Sequence, residues 1–123
     1  MDLRPTRYEV NLKNLQYNFI NIRNFVGPKA QVISVVKANG YGMGIVRISK
    51  ALVEAGCQRF AVATPDEAVT LREAGVQEPV LVLGPSPHEA AEYYVRYDIT
   101  AALTDMSFAH TASRTAEKQG KLA

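Results

Sequence analysis

A lysine placed where an apolar run stops and a glycine-rich turn begins is well set for covalent chemistry with a carbonyl compound. The segment Val35-Val36-Lys37-Ala38-Asn39-Gly40-Tyr41-Gly42-Met43-Gly44 has this form. In parallel α/β folds, ligands gather beyond the carboxyl ends of the strands. A lysine there, partly withdrawn from water, can offer a neutral nucleophilic amine for Schiff-base formation. The glycines allow a tight turn close to a ligand, and the hydroxyl of Tyr41 can donate to a phosphate or carboxylate. Each residue taken alone has a plainer reading. A lysine at a strand end is more often a solvated cap, and a tyrosine more often a packing residue. Two phosphate-binding patterns fail here. Gly40-x-Gly42-x-Gly44 is not a dinucleotide fingerprint, because Ile45 stands where the third glycine belongs, and Lys37 precedes the glycines of a Walker-type loop instead of following them.

The elements that must position Lys37 follow from periodicity. Apolar runs at Gln31–Val36, Phe60–Ala63, Val80–Gly84 and Ile99–Leu103 are continuous rather than alternating, the pattern of parallel strands covered on both faces. Helical patterns separate them. Ile45, Ile48, Leu52 and Ala55 share one face of a helix that stops at Gly56. Thr64-Pro65-Asp66-Glu67 forms a capping box opening a helix that ends near Gly75, and Ser86-Pro87-His88-Glu89 repeats the device. A last helix runs from near Asp105 to about Gly120, with Phe108, Ala112 and Ala116 toward the sheet. Before these units, Tyr8, Val10 and Leu12 alternate as a strand with one wet face. Leu12, Leu15, Phe19, Ile22 and Val26 then mark an amphipathic helix ending before Gly27-Pro28. The strand spacing of roughly twenty to thirty residues is the rhythm of βα units. Four units make the first half of a TIM-type (β/α)8 barrel, which needs about 250 residues, or a small open doubly wound sheet; the rhythm leaves both open. The ending Gly120-Lys121-Leu122-Ala123 looks like the lead-in to a fifth strand, so the chain reads as truncated.

Composition narrows the function classes. The 123 residues are 47% apolar and 21% charged, with net charge +2 and basic residues scattered along the chain. No clustered basic face suits a nucleic acid. No apolar run is long enough to span a membrane, and the first fifteen residues are too polar for a signal peptide, so a cytoplasmic location is expected. The single cysteine, Cys57, allows neither a disulfide framework nor a cysteine-based metal site within one chain.

The segment Val35–Gly44 resembles the cofactor-lysine motif of the alanine racemase family, V-V-K-A-N-A-Y-G-H-G, at eight of ten positions. The likeness extends along nearly the whole chain and in order. It takes in Arg4-Pro5-Thr6, Glu9–Leu12, Ala55-Gly56, Phe60–Thr64, Asp66-Glu67-Ala68, Leu71-Arg72, Gly75, Pro79–Gly84 and Tyr97–Thr100. The resemblance implies a barrel domain that binds pyridoxal 5'-phosphate and interconverts L- and D-alanine, the D-form serving cell-wall precursors. It implies that Lys37 holds the cofactor covalently and is one of two acid–base groups at the α-carbon, and that Tyr41 hydrogen-bonds the cofactor phosphate. It also implies a homodimer in which a tyrosine from a C-terminal β domain supplies the second base across the subunit boundary. Family members run to more than twice this length. The rest of the barrel and the β domain lie outside these residues, and the Tyr8–Leu12 strand would pair with that β domain.

Two positions depart from the motif. Gly40 replaces alanine, and Met43 replaces a histidine whose hydrogen bonding a thioether cannot reproduce. A racemase for serine or another small amino acid therefore stays open. The chain length keeps a non-catalytic cofactor-binding fragment as an alternative, while the run Lys37-Ala38-Asn39-x-Tyr41-Gly42 argues against an amino-acid decarboxylase of the same barrel class. The remaining candidates read as structural. His88 and His110 lack an acidic or cysteine partner at ligand spacing, Cys57 has no activating neighbour, and Asp66 and Glu67 are helix-start charges. Tyr94 and Tyr97 are expected to pack against helices. An incomplete barrel should also leave strand edges and an apolar face open.

Overall fold

The computed structural model describes residues 5–122 and contains four short parallel strands: β1 (Ser34–Val35), β2 (Phe60–Val62), β3 (Val80–Val82) and β4 (Thr100–Ala101). They pair in chain order, β1-β2-β3-β4, with Val35 beside Ala61, Ala61 beside Leu81 and Leu81 beside Thr100. A doubly wound sheet reverses its strand order at a switch point, whereas a barrel adds each strand beside the last. The order here is that of a barrel, which decides between the two architectures that the rhythm allowed.

The helices are α1 (Leu12–Val26), a single turn α2 (Lys37–Tyr41), α3 (Ile45–Glu54), α4 (Pro65–Glu73), α5 (Ala91–Tyr97) and α6 (Met106–Lys118), with a 3-10 turn at His88–Ala90. Their ends obey local chemistry. The Asn11 side chain accepts from Asn14 N–H to start α1, and Asp105 accepts from Phe108 N–H to start α6. Thr64 and Glu67 form the expected capping box on α4. Gly27, Gly56 and Gly75, at φ +78°, +95° and +89°, stop the helices where the sequence places the stops.

Val36, Phe60, Val62, Val80 and Val82 are 0–1% exposed and join residues of α1, α3, α4, α5 and α6 in one core. Because βα crossovers share one hand, they lay their helices on the same side of a sheet built in sequential order. On the opposite face Ala61 of β2 is buried, but Ile33, Val35 and Leu83 to either side are 46%, 40% and 46% exposed. The expectation of strands covered on both faces therefore holds for one face only, and the apolar residues of the other are those that a closed barrel turns inward.

Further expectations change. Tyr8–Leu12 forms no strand. Residues 5–11 run without a paired strand among the described residues, Asn11 caps α1, and Leu12 is its first residue. On α1, Phe19 is buried and Leu15 and Ile20 pack on the core, but Ile22 is 54% exposed. Ser86 opens no capping box. Its hydroxyl is bonded to Tyr94 Oη (2.6 Å), and Pro87 leads into the 3-10 turn without a side-chain cap. Phe108 meets the Tyr94 ring edge-on at 5.6 Å, so α6 packs on α5 as well as on the shared core. Gly120–Leu122 lie in no strand, and Lys121 Nζ donates to Val95 O (2.8 Å), closing α6 against α5. Arg4 and Ala123 lie outside the described residues. No helix is long and apolar enough to cross a membrane among those described.

Candidate functional site

β1 ends at Val35, and exposure alternates past it: Val35 is exposed, Val36 buried, Lys37 exposed again. Lys37 thus lies at the carboxyl end of the first strand and points away from the helix-covered core. The residues after it take an unusual path. Ala38 (φ 52°, ψ 52°), Asn39 (φ 52°, ψ 44°), Gly40 (φ 63°, ψ 42°) and Tyr41 (φ 55°) are consecutively left-handed. A left-handed turn costs about 1–2 kcal/mol per L-residue because Cβ crowds the carbonyl, less at Asn. Only glycine adopts it freely, so three of the four residues are held against their preference.

Hydrogen bonds hold them there. Gly40 N–H donates to Val36 O (2.9 Å), Gly42 N–H to Ala38 O (3.0 Å), Met43 N–H to Gly40 O (3.1 Å) and Gly44 N–H to Asn39 O (2.9 Å). The Asn39 side chain accepts from Ile45 N–H at 3.0 Å, which caps α3 and ties the turn to the helix behind it. Asn39 and the glycines are therefore turn-shaping residues, as their types suggested. Gly40 is buried under Ile48: a Cβ added at Gly40 would overlap Ile48 Cδ1. This replacement for alanine does not leave a loose turn, since the Ile48 side chain fills the vacated volume. Met43 is half-buried and packs on the core.

The N–H of Ala38, the first peptide after Lys37, donates to Glu67 Oε1 at 2.6 Å. The other oxygen, Oε2, accepts from Ala63 N–H (2.9 Å) at the end of β2 and, at 3.4 Å, from Thr64 N–H. Sequence reasoning placed Glu67 as a helix-start charge and missed this reach to the Lys37 turn. The capping box carried the signal, since it puts a carboxylate at the carboxyl end of β2, the strand next to β1.

Lys37 and Tyr41 are the first and last residues of the same turn, and both are exposed, Tyr41 by 58%. Beside them runs the open apolar sheet face of Val35 and Leu83. A primary amine, a phenol one turn away and an apolar surface match a planar ring that bears an aldehyde and an anionic group. Pyridoxal phosphate fits these residues: Lys37 would hold its aldehyde carbon and Tyr41 its phosphate. The other candidates sit elsewhere. His88 is bonded to Thr111 Oγ1 (2.8 Å) and Ser107 Oγ (3.1 Å) beside α6, His110 is exposed, and Cys57 is buried against Ser34. Tyr94 is buried and packs on Phe108, and Tyr97 Oη donates to Glu73 (3.3 Å).

Residues 10–123 match the family described as alanine racemase, N-terminal domain. Alanine racemase 2 of Caldanaerobacter subterraneus subsp. tengcongensis is 43% identical over 122 residues, which cover 99% of this chain and 31% of that protein. The solved alanine racemase of Clostridium difficile 630 superposes with a TM-score of 0.86 at 33% identity, over 90% of this chain and 30% of its own. A histidine racemase from Leuconostoc mesenteroides subsp. sake superposes with a TM-score of 0.78 at 28% identity, over 89% and 29%. The chain thus spans about a third of the length of the proteins it resembles.

Proposed function

The chain belongs to the family described as the N-terminal domain of alanine racemase, and from that premise we propose that it forms the part of an amino-acid racemase carrying the cofactor amine. The observation that carries this reading is Lys37, exposed at the carboxyl end of β1 on a strained turn that fixes its backbone. Its Nζ would hold pyridoxal 5'-phosphate and would move a proton at the substrate Cα. Tyr41 would donate a hydrogen bond from its phenol to the cofactor phosphate. When bound, the cofactor supplies an electron sink for the electron pair left at Cα.

The substrate proposed is alanine, following the names of the relatives. That a histidine racemase shares this segment supports assigning the cofactor side to these residues and substrate choice to others. A chain with about a third of the relatives' length leaves the second base to a further segment, here proposed to come from a partner subunit in a homodimer.

The test is an absorbance titration with pyridoxal phosphate, followed by borohydride. The chain should develop a visible band that borohydride abolishes, and Lys37→Ala should not. Tyr41→Phe should weaken pyridoxal phosphate about tenfold, the worth of one hydrogen bond to a charged group, and leave phosphate-free pyridoxal unaffected. A band of equal strength in Lys37→Ala would assign the cofactor to another lysine.

A further inference from the structure

We propose that Glu67 is a positioning residue for Lys37, fixing the peptide from which the cofactor lysine departs; this rests on Lys37 being that lysine. A glutamate at the third position of a helix ordinarily closes a capping box on its own N-cap. In α4 both bonds of that box are long: Glu67 N–H to Thr64 Oγ1 and Thr64 N–H to Glu67 Oε2 are each 3.4 Å. The short bonds go to other elements, 2.6 Å from Ala38 N–H and 2.9 Å from Ala63 N–H. The carboxylate has been drawn away from its own helix to bridge the carboxyl ends of β1 and β2.

The bridge reaches a donor whose partner lies outside the turn. Within the turn, the N–H groups of Gly40 and Gly42 find carbonyls at Val36 and Ala38, whereas Ala38 N–H finds the glutamate. An anion accepting from a peptide N–H makes a hydrogen bond roughly twice as strong as a neutral acceptor would. The Lys37–Ala38 peptide is the pivot between β1 and the left-handed turn, so its orientation sets the direction of the Lys37 side chain. Glu67 is half-buried, and the same helix start packs Ala68 and Leu71 into the core. The carboxylate is therefore carried on a rigid support. Positioning of this kind shows as affinity for a group that must meet Nζ in one geometry.

The experiment uses the full chain with pyridoxal phosphate as probe, in wild type, Glu67→Ala, Glu67→Gln and Thr64→Ala. Two quantities are read: cofactor affinity from the visible band, and the Ala38 amide by 15N NMR with hydrogen exchange. In Glu67→Ala the Ala38 amide should move upfield and lose protection, and affinity at Lys37 should fall about tenfold. Glu67→Gln, which keeps one neutral acceptor oxygen, should recover about half of the loss, leaving affinity about threefold below wild type. Thr64→Ala removes the cap but not the bridge, and should leave affinity unchanged. If Glu67→Ala does not fold, a loss of about threefold in Glu67→Gln against none in Thr64→Ala carries the same contrast. Equal affinity in Glu67→Ala and wild type, or an equal loss in Thr64→Ala and Glu67→Ala, overturns the positioning role and leaves the Lys37 assignment standing. A wild-type chain that forms no band at Lys37 overturns both.

Discussion

At the amino end of α4 the Glu67 carboxylate gathers peptide N–H groups from Ala38, Ala63 and Thr64, whereas at its carboxyl end the Arg72 guanidinium gathers carbonyls. Arg72 Nε donates to Tyr97 O (2.9 Å), Nη1 to Val76 O (2.9 Å) and Glu78 O (2.8 Å), and Nη2 to Asp98 O (2.9 Å). Those carbonyls belong to the segments entering β3 and β4, at the amino ends of the strands. One helix thus ties both ends of the sheet, with opposite charges suited to opposite backbone groups. The ends differ in what the ties hold. The lower end is saturated: Val76 and Ile99 are buried, and burial draws the Arg72 pKa down against the pull of Asp98 and Glu78. The upper end keeps an exposed lysine on a strained turn. In βα barrels the carboxyl ends of the strands carry the chemistry and the amino ends the stability.

If that division is right, damage at the two ends should read out differently. The largest loss of stability should come from Arg72→Met, which strips four carbonyls of their donor in a half-buried place. About 2–3 kcal/mol is expected in urea unfolding, with cofactor affinity of the folded fraction unchanged. A parallel loss of affinity would break the comparison. Gly40→Ala should cost about 1–2 kcal/mol, since it adds a Cβ at positive φ against Ile48 Cδ1. Ile48→Val, which deletes that atom, should recover part of the loss in the double variant. Ala38→Gly should act in the other direction and raise stability by about 1 kcal/mol by relieving the left-handed strain. The same change should weaken cofactor binding, because the turn gains freedom.

The smallest effect concerns α6, away from both ends. Hydrogen bonds from Ser107 Oγ and from Phe108 N–H hold the Asp105 carboxyl below its ordinary pKa. A depressed carboxylate contributes stability above its unfolded pKa and loses it as pH falls through the folded one. Thermal melts should therefore lose a small increment on the acid side of the ordinary carboxylate range. Asp105→Asn, which can still cap the helix, should flatten that increment.

What the sequence disclosed follows from the range of the interactions involved. The ends of α3 and α4 were legible in Gly56, Gly75 and the Thr64 capping box, because caps act within four residues. Lys37 was legible because a strand end and a glycine-rich turn are adjacent in sequence. Strand order was not, since the spacing of βα units is shared by barrels and open sheets and only the pairing distinguishes them. Alternation at Tyr8–Leu12 suggested a strand, but a strand needs a partner, and the local cap at Asn11 sets that segment's end instead. The left-handed path of Ala38, Asn39 and Tyr41 opposes the preferences of those residues. It is imposed by bonds to Val36, Ile45 and Glu67, the last of them 29 residues away. Glu67 escaped notice for the same reason: its local role as a helix-start charge concealed a tertiary one.

The most direct test of the Lys37 assignment is peptide mapping after borohydride reduction of the chain with stoichiometric pyridoxal phosphate. The chain has six lysines, at 13, 29, 37, 50, 118 and 121, so each site is its own control. The account predicts the reduced cofactor mass on the peptide containing Lys37, with the other five at background. A label spread evenly over all six, or concentrated on a lysine other than Lys37, would contradict it.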